Sequence, residues 1–527
     1  MTRRPPSAIA AGACLLLLTT AGCATAQQGG PADGTLTYAL GDEPQEFNPA
    51  LIDEHLDPVT EMVFRGLTAH DADNEIVPAL AESWEVADDG RTYTFALREG
   101  VTWHDGAAFT AADVVFTIEA VRDGGFATSN KFADVDDVRA EGDHTVVVEL
   151  SDPAPALLDT LSNGILPEHL LADTGIDDPA FGEHPVGTGP FRLDTWRHGE
   201  YASLSAFPDY YGGPPGLSGI TITYVPDAAA RLMRLQNGEV DAAALEPQQA
   251  GEVQGGDRIR LEVSPTADYR GIMFNMSADH CWSDAHCDDP APRRAMNHAI
   301  DRDAVIDGVL HGYGSPALGP LDQSPFGTDT AGYSFDPGRV EEIMTEGGYR
   351  RNGDGVWAKD GEPVAFDLTT FAEDGVRAAM VEVLATQLRD QGFDVTADPR
   401  PRDSVDWASL DTFLVGWGTP YDPDGSLYGP FHSSEALAEG GSNYGSYADD
   451  AVDDALDRGR GTGDPEARAA AYADFQEAIA ENPPYVFVSY LEAVNAVPAG
   501  LTGLRQRTLA HHGYGFFWNA EEWSYRG

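Results

Sequence analysis

Residues 76–119 read IVPALAESWEVADDGRTYTFALREGVTWHDGAAFTAADVVFTIE, a run that carries helix and hairpin signals side by side. Pro78 predicts the first turn of a short helix, because its fixed φ suits that position and its missing N–H is not needed there. Asp88, Asp89 and Gly90 predict the turn of a hairpin. After WHDG (103–106), Thr110 predicts the N-cap of a helix that starts at Ala111. Trp84, Trp103 and Phe116 fall on strand or helix faces, so core packing is expected of them and not ligand contact.

The same alternation extends outward in both directions. GTLTYAL (34–40) is a strand by the period of Leu36, Tyr38 and Leu40, and DPVTEMVFRGL (57–67) is a helix with Val59, Met62 and Val63 on one face. GITITYV, PDAAARLMRLQNG and EVDAAAL (219–245) form a strand, helix and strand unit whose helix ends at Gly238. Pro292 sits near the first turn of the helix APRRAMNHAI, and Asp301 can cap the next one, RDAVIDGVL. DPEARAAAYADFQEAIAENPP (464–484) predicts a long amphipathic helix running into the strand YVFVSY. The class is α/β, and a chain of 527 residues exceeds the usual capacity of one core, so two or three lobes are expected.

The chain opens MTRRPPSAIAAGACLLLLTTAGCATAQQGG, with Arg3 and Arg4 ahead of an apolar stretch and small residues after it, the pattern of a secretory signal. TAGC, ending at Cys23, resembles a lipobox in which the cysteine takes lipid and becomes the new N-terminus. The alternative is cleavage after Ala26, which releases the protein. Residues 1–22 are then a leader and 23–33 a polar linker, and the mature protein is expected at the extracytoplasmic face of the membrane. Loss of the leader removes two arginines and no acid, leaving a formal charge of −57. That balance argues against nucleic acid as a partner. The acidity is spread along the chain, as in ADDAVDDALD, and reads as solvated surface.

Catalytic signatures fail when tested. Lys131 and Lys359 are the two lysines and neither follows a glycine, so there is no phosphate loop of the Walker type; H-E-x-x-H, G-x-S-x-G and G-x-G-x-x-G are also missing. RRNGDGVWAKDGE lacks the first and last ligands of a calcium loop, and its KDG is read as a hairpin turn. No metal site and no cofactor are assigned. Fourteen histidines are scattered, only His511 and His512 are adjacent, and surface or structural roles are expected of them. Cys281 and Cys287 in DHCWSDAHC could bind a soft metal with their neighbouring histidines, but an even pair of exported cysteines favours a disulfide.

Several stretches together resemble one family, the large solute-binding proteins of peptide and nickel ABC importers, family 5. The 76–119 segment carries most of the likeness; PVGTGPFRLDTW, GEVDAAAL and RRAMNHAIDRDAV are similarly close, in order, from about Leu36 to the C-terminus. The resemblance implies a periplasmic-binding-protein-like type II fold: two α/β lobes closing on a ligand about a hinge, with an additional inserted lobe. Lobe I would comprise 34–67, 187–288 and 498–527, the inserted lobe 68–186, and the far lobe 289–497. GTGP (187–190) reads as a tight crossing between lobes. The implied function is a lipid-anchored, monomeric receptor, not an enzyme, that delivers short peptides to a permease and its ATPase. A nickel or metal-chelate receptor is the alternative within the family, and an extracellular hydrolase the alternative outside it.

GWGTPYDPDG (416–425) is the candidate ligand clamp, following directly from the strand LDTFLVG. Gly416 and Gly418 would let a ligand's backbone approach, and Trp417 and Tyr421 would wall its apolar parts. Peptide-type relatives place an aspartate here on the ligand's α-amino group, but the matching position is Pro420, so Asp422 or Asp424 is expected to take that role. Across the cleft, Asp53 or Glu54 in NPALIDEH offers a second anchor.

Overall fold

The computed structural model describes residues 34–52, 57–253, 257–277, 279–283, 285–328 and 332–525. The expected anchors Asp53 and Glu54, the lipidation site Cys23 and the leader lie outside the described residues.

The main sheet runs through both principal lobes. Its strands lie in the order Asp394–Arg400, Ala365–Phe371, Thr412–Trp417, Ile259–Phe274, Tyr485–Pro498, Ala242–Leu245, Thr35–Leu40, Gly219–Tyr224, Tyr201–Ala206, Phe191–Arg197. The two long central strands, Ile259–Phe274 and Tyr485–Pro498, belong to both halves. Ile259–Pro265 pairs with Pro498–Glu492 beside the near half; after a bulge, Tyr269–Phe274 pairs with Thr412–Trp417 of the far half. The passage between halves therefore lies at residues 265–269, inside the segment that the sequence reading gave wholly to lobe I. A bulge leaves ladder groups to be satisfied elsewhere. Here the C-terminal segment supplies them, with Ala267 N donating to Leu509 O at 2.8 Å and Leu509 N to Pro265 O at 2.8 Å.

Alternation along the strands divides the far core in two. Ile272, Phe274 and Leu414 pack on one face with the helix Gly375–Asp390, whereas Tyr269, Met273, Phe413 and Val415 pack on the other with the helix Pro465–Glu481. The near half shares one continuous core with the separate four-stranded sheet formed by residues 81–150, in which Leu36, Ile222, Phe95 and Trp103 are all buried.

Helix and turn chemistry follows the sequence at most places. Gly238 closes the helix Ala228–Asn237 at φ 73°, and Asp301 caps Arg302–Val309 by accepting from Ala304 N. The KDG turn joins two short strands with Asp360 at φ 57° and Gly361 at φ 94°. One expectation is corrected. Pro78 ends a strand, Ile76–Pro78, and the residues after it form Ala81–Val86, which pairs across the Asp88–Gly90 turn with Thr92–Leu97. The hairpin partner decides the conformation there, and a proline is tolerated at a strand end where its N–H is not needed. Gly187 and Gly189 serve close approach: a Cβ would lie 2.0 Å from Val63 O at the first and 2.3 Å from Met62 O at the second. Cys281 and Cys287 bring their sulfurs to bonding distance, with Cα atoms 6.0 Å apart.

Candidate functional site

The GWGTPYDPDG stretch crosses the passage between halves, and two of its glycines, Tyr421 and both aspartates are engaged by other parts of the protein. A Cβ on Gly416 would lie 2.1 Å from Arg270 Nη1 and 3.1 Å from Arg377 Nη2, so this glycine makes room for two guanidinium groups and not for a ligand's backbone. Gly418, at φ 133°, presses on the bulge, where an added Cβ would lie 1.8 Å from Ala267 O. Trp417 is half-buried, packs against the far core and lies parallel to Tyr444 at 5.9 Å. Tyr421 stacks on His70 at 3.9 Å and 17°, and its hydroxyl accepts from Arg507 at 3.2 Å.

Both candidate carboxylates are engaged. Asp422 caps the helix Pro423–Phe431 and accepts two bonds from Arg468, at 2.9 and 2.7 Å. Asp424 accepts two from Arg460, at 2.8 and 3.1 Å. A carboxylate held in a forked guanidinium pair is already neutralised, so the expectation of one free to meet an ammonium is not met by either side chain.

The titratable groups of the passage come from elsewhere. Asp268, in the bulge, lies beside His511 and His512 of the short turn His511–Gly513, and one ligand atom from each of the three falls within 4.8 Å of the others. The turn is pinned on both sides: His511 N donates to Gly418 O at 3.2 Å, and His512 N to Asp268 Oδ2 at 3.2 Å. His512 holds φ 57°, a left-handed conformation uncommon for a side-chain-bearing residue, which the surrounding contacts impose. Asp268 is also paired with Arg270, and Arg377 is paired with Asp374 at 3.1 Å. Both arginines are buried.

The electrostatics leave these groups in defined states. Burial alone would raise the Asp268 carboxyl, but Arg270 and the two imidazoles outweigh it and hold it well below the usual carboxylate range. Burial lowers Arg377 to about 10, with Arg270 adding to the effect. His512 keeps an edge open to solvent, yet protein surrounds enough of it that desolvation lowers its pKa, with Arg270 and Arg377 reinforcing the shift. An ionised carboxylate and the His512 imidazole, whose charged form is disfavoured, thus lie beside two cations. Sequence reasoning noted the adjacent histidines and gave them a surface or structural role. Asp268, Arg270 and Arg377 went unremarked because no local motif marks them.

With this geometry in view, a sequence model of bacterial extracellular solute-binding proteins, family 5, matches residues 75–438. The chain belongs to family 5. Protein XP55 of Streptomyces lividans is 34% identical over 471 residues, 88% of this chain and 85% of the relative. The structure of NikZ from Campylobacter jejuni in complex with Ni(L-His) superposes with a TM-score of 0.84 at 34% identity, covering 93% of this family 5 chain and 99% of NikZ. The oligopeptide-binding protein AppA from Bacillus subtilis, in complex with a nonapeptide, gives a TM-score of 0.77 at 26% identity over 94% and 99% of the two chains. The type II binding-protein fold expected from the sequence is therefore present. This is a substrate-binding protein of the ABC importer class and not an enzyme. Among the described residues, no helix is long and apolar enough to cross a membrane.

Proposed function

We propose that this family 5 protein captures a small, carboxylate-bearing chelate of a divalent metal in the cleft at the 265–269 bulge and delivers it to an ABC permease. One observation carries the reading: two imidazoles and an ionised carboxylate converge within 4.8 Å beside two buried guanidinium groups. Imidazole and carboxylate suit nickel and its neighbours among the first-row metals. The ligands must be deprotonated to bind, and the depressed pKa values of Asp268 and His512 keep them so at neutral pH. A cation on Asp268 would repel Arg270 and weaken their pair. Arg270 and Arg377 could then take the carboxylates of the chelate in forked hydrogen bonds. The metal is cargo in this scheme and leaves with the rest of the ligand. The likeness to NikZ, solved with Ni(L-His), supports the reading.

Short peptides are the second reading, favoured by the likeness to AppA with its nonapeptide. The engagement of Asp422 and Asp424 counts against it: each is held by its arginine through two hydrogen bonds, whereas Asp268 meets Arg270 through one, so a cation displaces less at Asp268. Mass spectrometry of ligand released from protein purified in its native state separates the two. The proposal expects a divalent metal with a small carboxylate partner; a metal-free peptide of several residues would overturn it. We further propose that Cys23 carries lipid and tethers a monomeric receptor outside the membrane. Cys23→Ala should then move the protein from the membrane fraction to the medium, and wild-type protein already in the medium with Gln27 at its N-terminus would refute the tether.

A further inference from the structure

We infer that Tyr421 is a closure latch whose socket lies on the opposite side of the cleft, and that it sets how long the closed state lasts without touching the ligand. The inference rests on the reading of this chain as a receptor that closes about its ligand. Tyr421 belongs to the far half, whereas its partners do not. Its ring lies flat on His70 at 3.9 Å, and its hydroxyl accepts from Arg507 at 3.2 Å. Arg507 is itself fixed: it donates to His70 O at 3.3 Å and lies 3.5 Å from Glu61. His70 is held by Asp159 at 2.7 Å. His70 and Arg507 are both buried with Tyr421 in place, and the bonds of Arg507 to His70 O and of His70 to Asp159 hold the socket residues independently of the tyrosine.

The far half presents the tyrosine at the end of a braced loop. Asp422 and Asp424, immediately after it, are the residues clamped by Arg468 and Arg460. The two carboxylates thus act as positioning residues for Tyr421. Stacking on an aromatic ring and a hydrogen bond to a cation are both lost when the halves part, so the latch opposes opening and slows release of the ligand.

The test places spin labels on Met233→Cys and Glu382→Cys, exposed helical positions in the near and far halves, and measures the distance between them with and without nickel and L-histidine. Tyr421→Ala should shift the distribution to longer distances and speed probe release about tenfold; Tyr421→Phe, which keeps the stack, should speed it about threefold. His70→Ala should reproduce the Tyr421→Ala effect and add little to it, which a ligand wall would not do. An unchanged distance distribution in Tyr421→Ala, ligand-free and probe-loaded alike, overturns the latch. So does weaker binding without any change in distance, which would make Tyr421 a ligand contact. If the wild-type protein does not bind the nickel probe, the chelate reading fails, and the ligand-free distances still decide the latch.

Discussion

The loop 416–425 and the passage built from 266–270 and 511–513 pack directly against each other, through the pairing of Tyr269 with Trp417 and of Arg270 with Gly416 and through the bond from His511 N to Gly418 O, yet they divide the work in an unexpected way. The loop carries the conspicuous letters: three glycines, two aromatics and two carboxylates. Its glycines admit arginines and a crossing backbone, its aspartates hold arginines, and its tyrosine holds the far side of the cleft. The passage looks ordinary in sequence and holds the groups able to bind a charged ligand. Residue types suited to recognition are equally suited to bracing, and only the partners each side chain finds tell the two apart.

Three changes in the loop and one behind it put that division to the test. Gly418→Ala should have the largest effect, because the new Cβ meets a backbone oxygen at 1.8 Å and the φ of 133° disfavours any side chain. The cost should exceed about 4 kcal/mol, seen as a melting temperature lowered by several degrees. A variant as stable as wild type would show that the crossing can relax. Asp422→Asn should come next: it leaves Arg468 without its counter-charge, and breaking a partly buried pair costs on the order of 3 kcal/mol. Thermal unfolding should register that loss while the nickel–histidine affinity changes less than about threefold; the reverse pattern would return Asp422 to the ligand. Trp417→Ala should weaken the same ligand by at least about fivefold, or roughly 1 kcal/mol, with a smaller change in melting temperature. A large loss of stability instead would make Trp417 a core residue.

The smallest effect concerns pH. Burial raises the Glu61 carboxyl to about 7, against the opposing charges of Arg507 and Arg65. A raised folded-state value contributes stability that is complete below the unfolded value near about 4.3 and is lost as pH rises through 7. Asp57, raised by burial to about 6, acts with the same sign. The melting temperature of wild type should therefore fall more between about pH 5 and pH 8 than that of Glu61→Gln. Parallel curves for the two proteins would show that Glu61 titrates normally.

Much of the fold was legible because its signals are local. The period of Leu36, Tyr38 and Leu40, the strand, helix and strand of 219–245 and the cap at Asp301 each depend on residues a few places apart. The family was legible for the same reason, from stretches in the right order. Pro78 was misread because a strand end and a helix start tolerate the same missing N–H, and the hairpin partner that chooses between them lies beyond it in the chain. The site resisted for the opposite reason. Asp268 and His512 stand 244 residues apart, and a bulge in a long strand and a left-handed turn bring them together. The adjacent histidines were the one visible trace, and nothing near them in sequence supplies the carboxylate or the arginines.

Titration calorimetry with nickel and L-histidine, run on wild type and on His512→Ala, tests the central claim most directly. His512 reaches the solvent edge of the cluster, so its removal should leave the melting temperature unchanged. The account predicts binding by wild type at micromolar concentration or tighter, about −8 kcal/mol, and at least a tenfold loss in the variant. Equal affinity in the two proteins, or a wild type that ignores the metal and binds a short peptide, would contradict it.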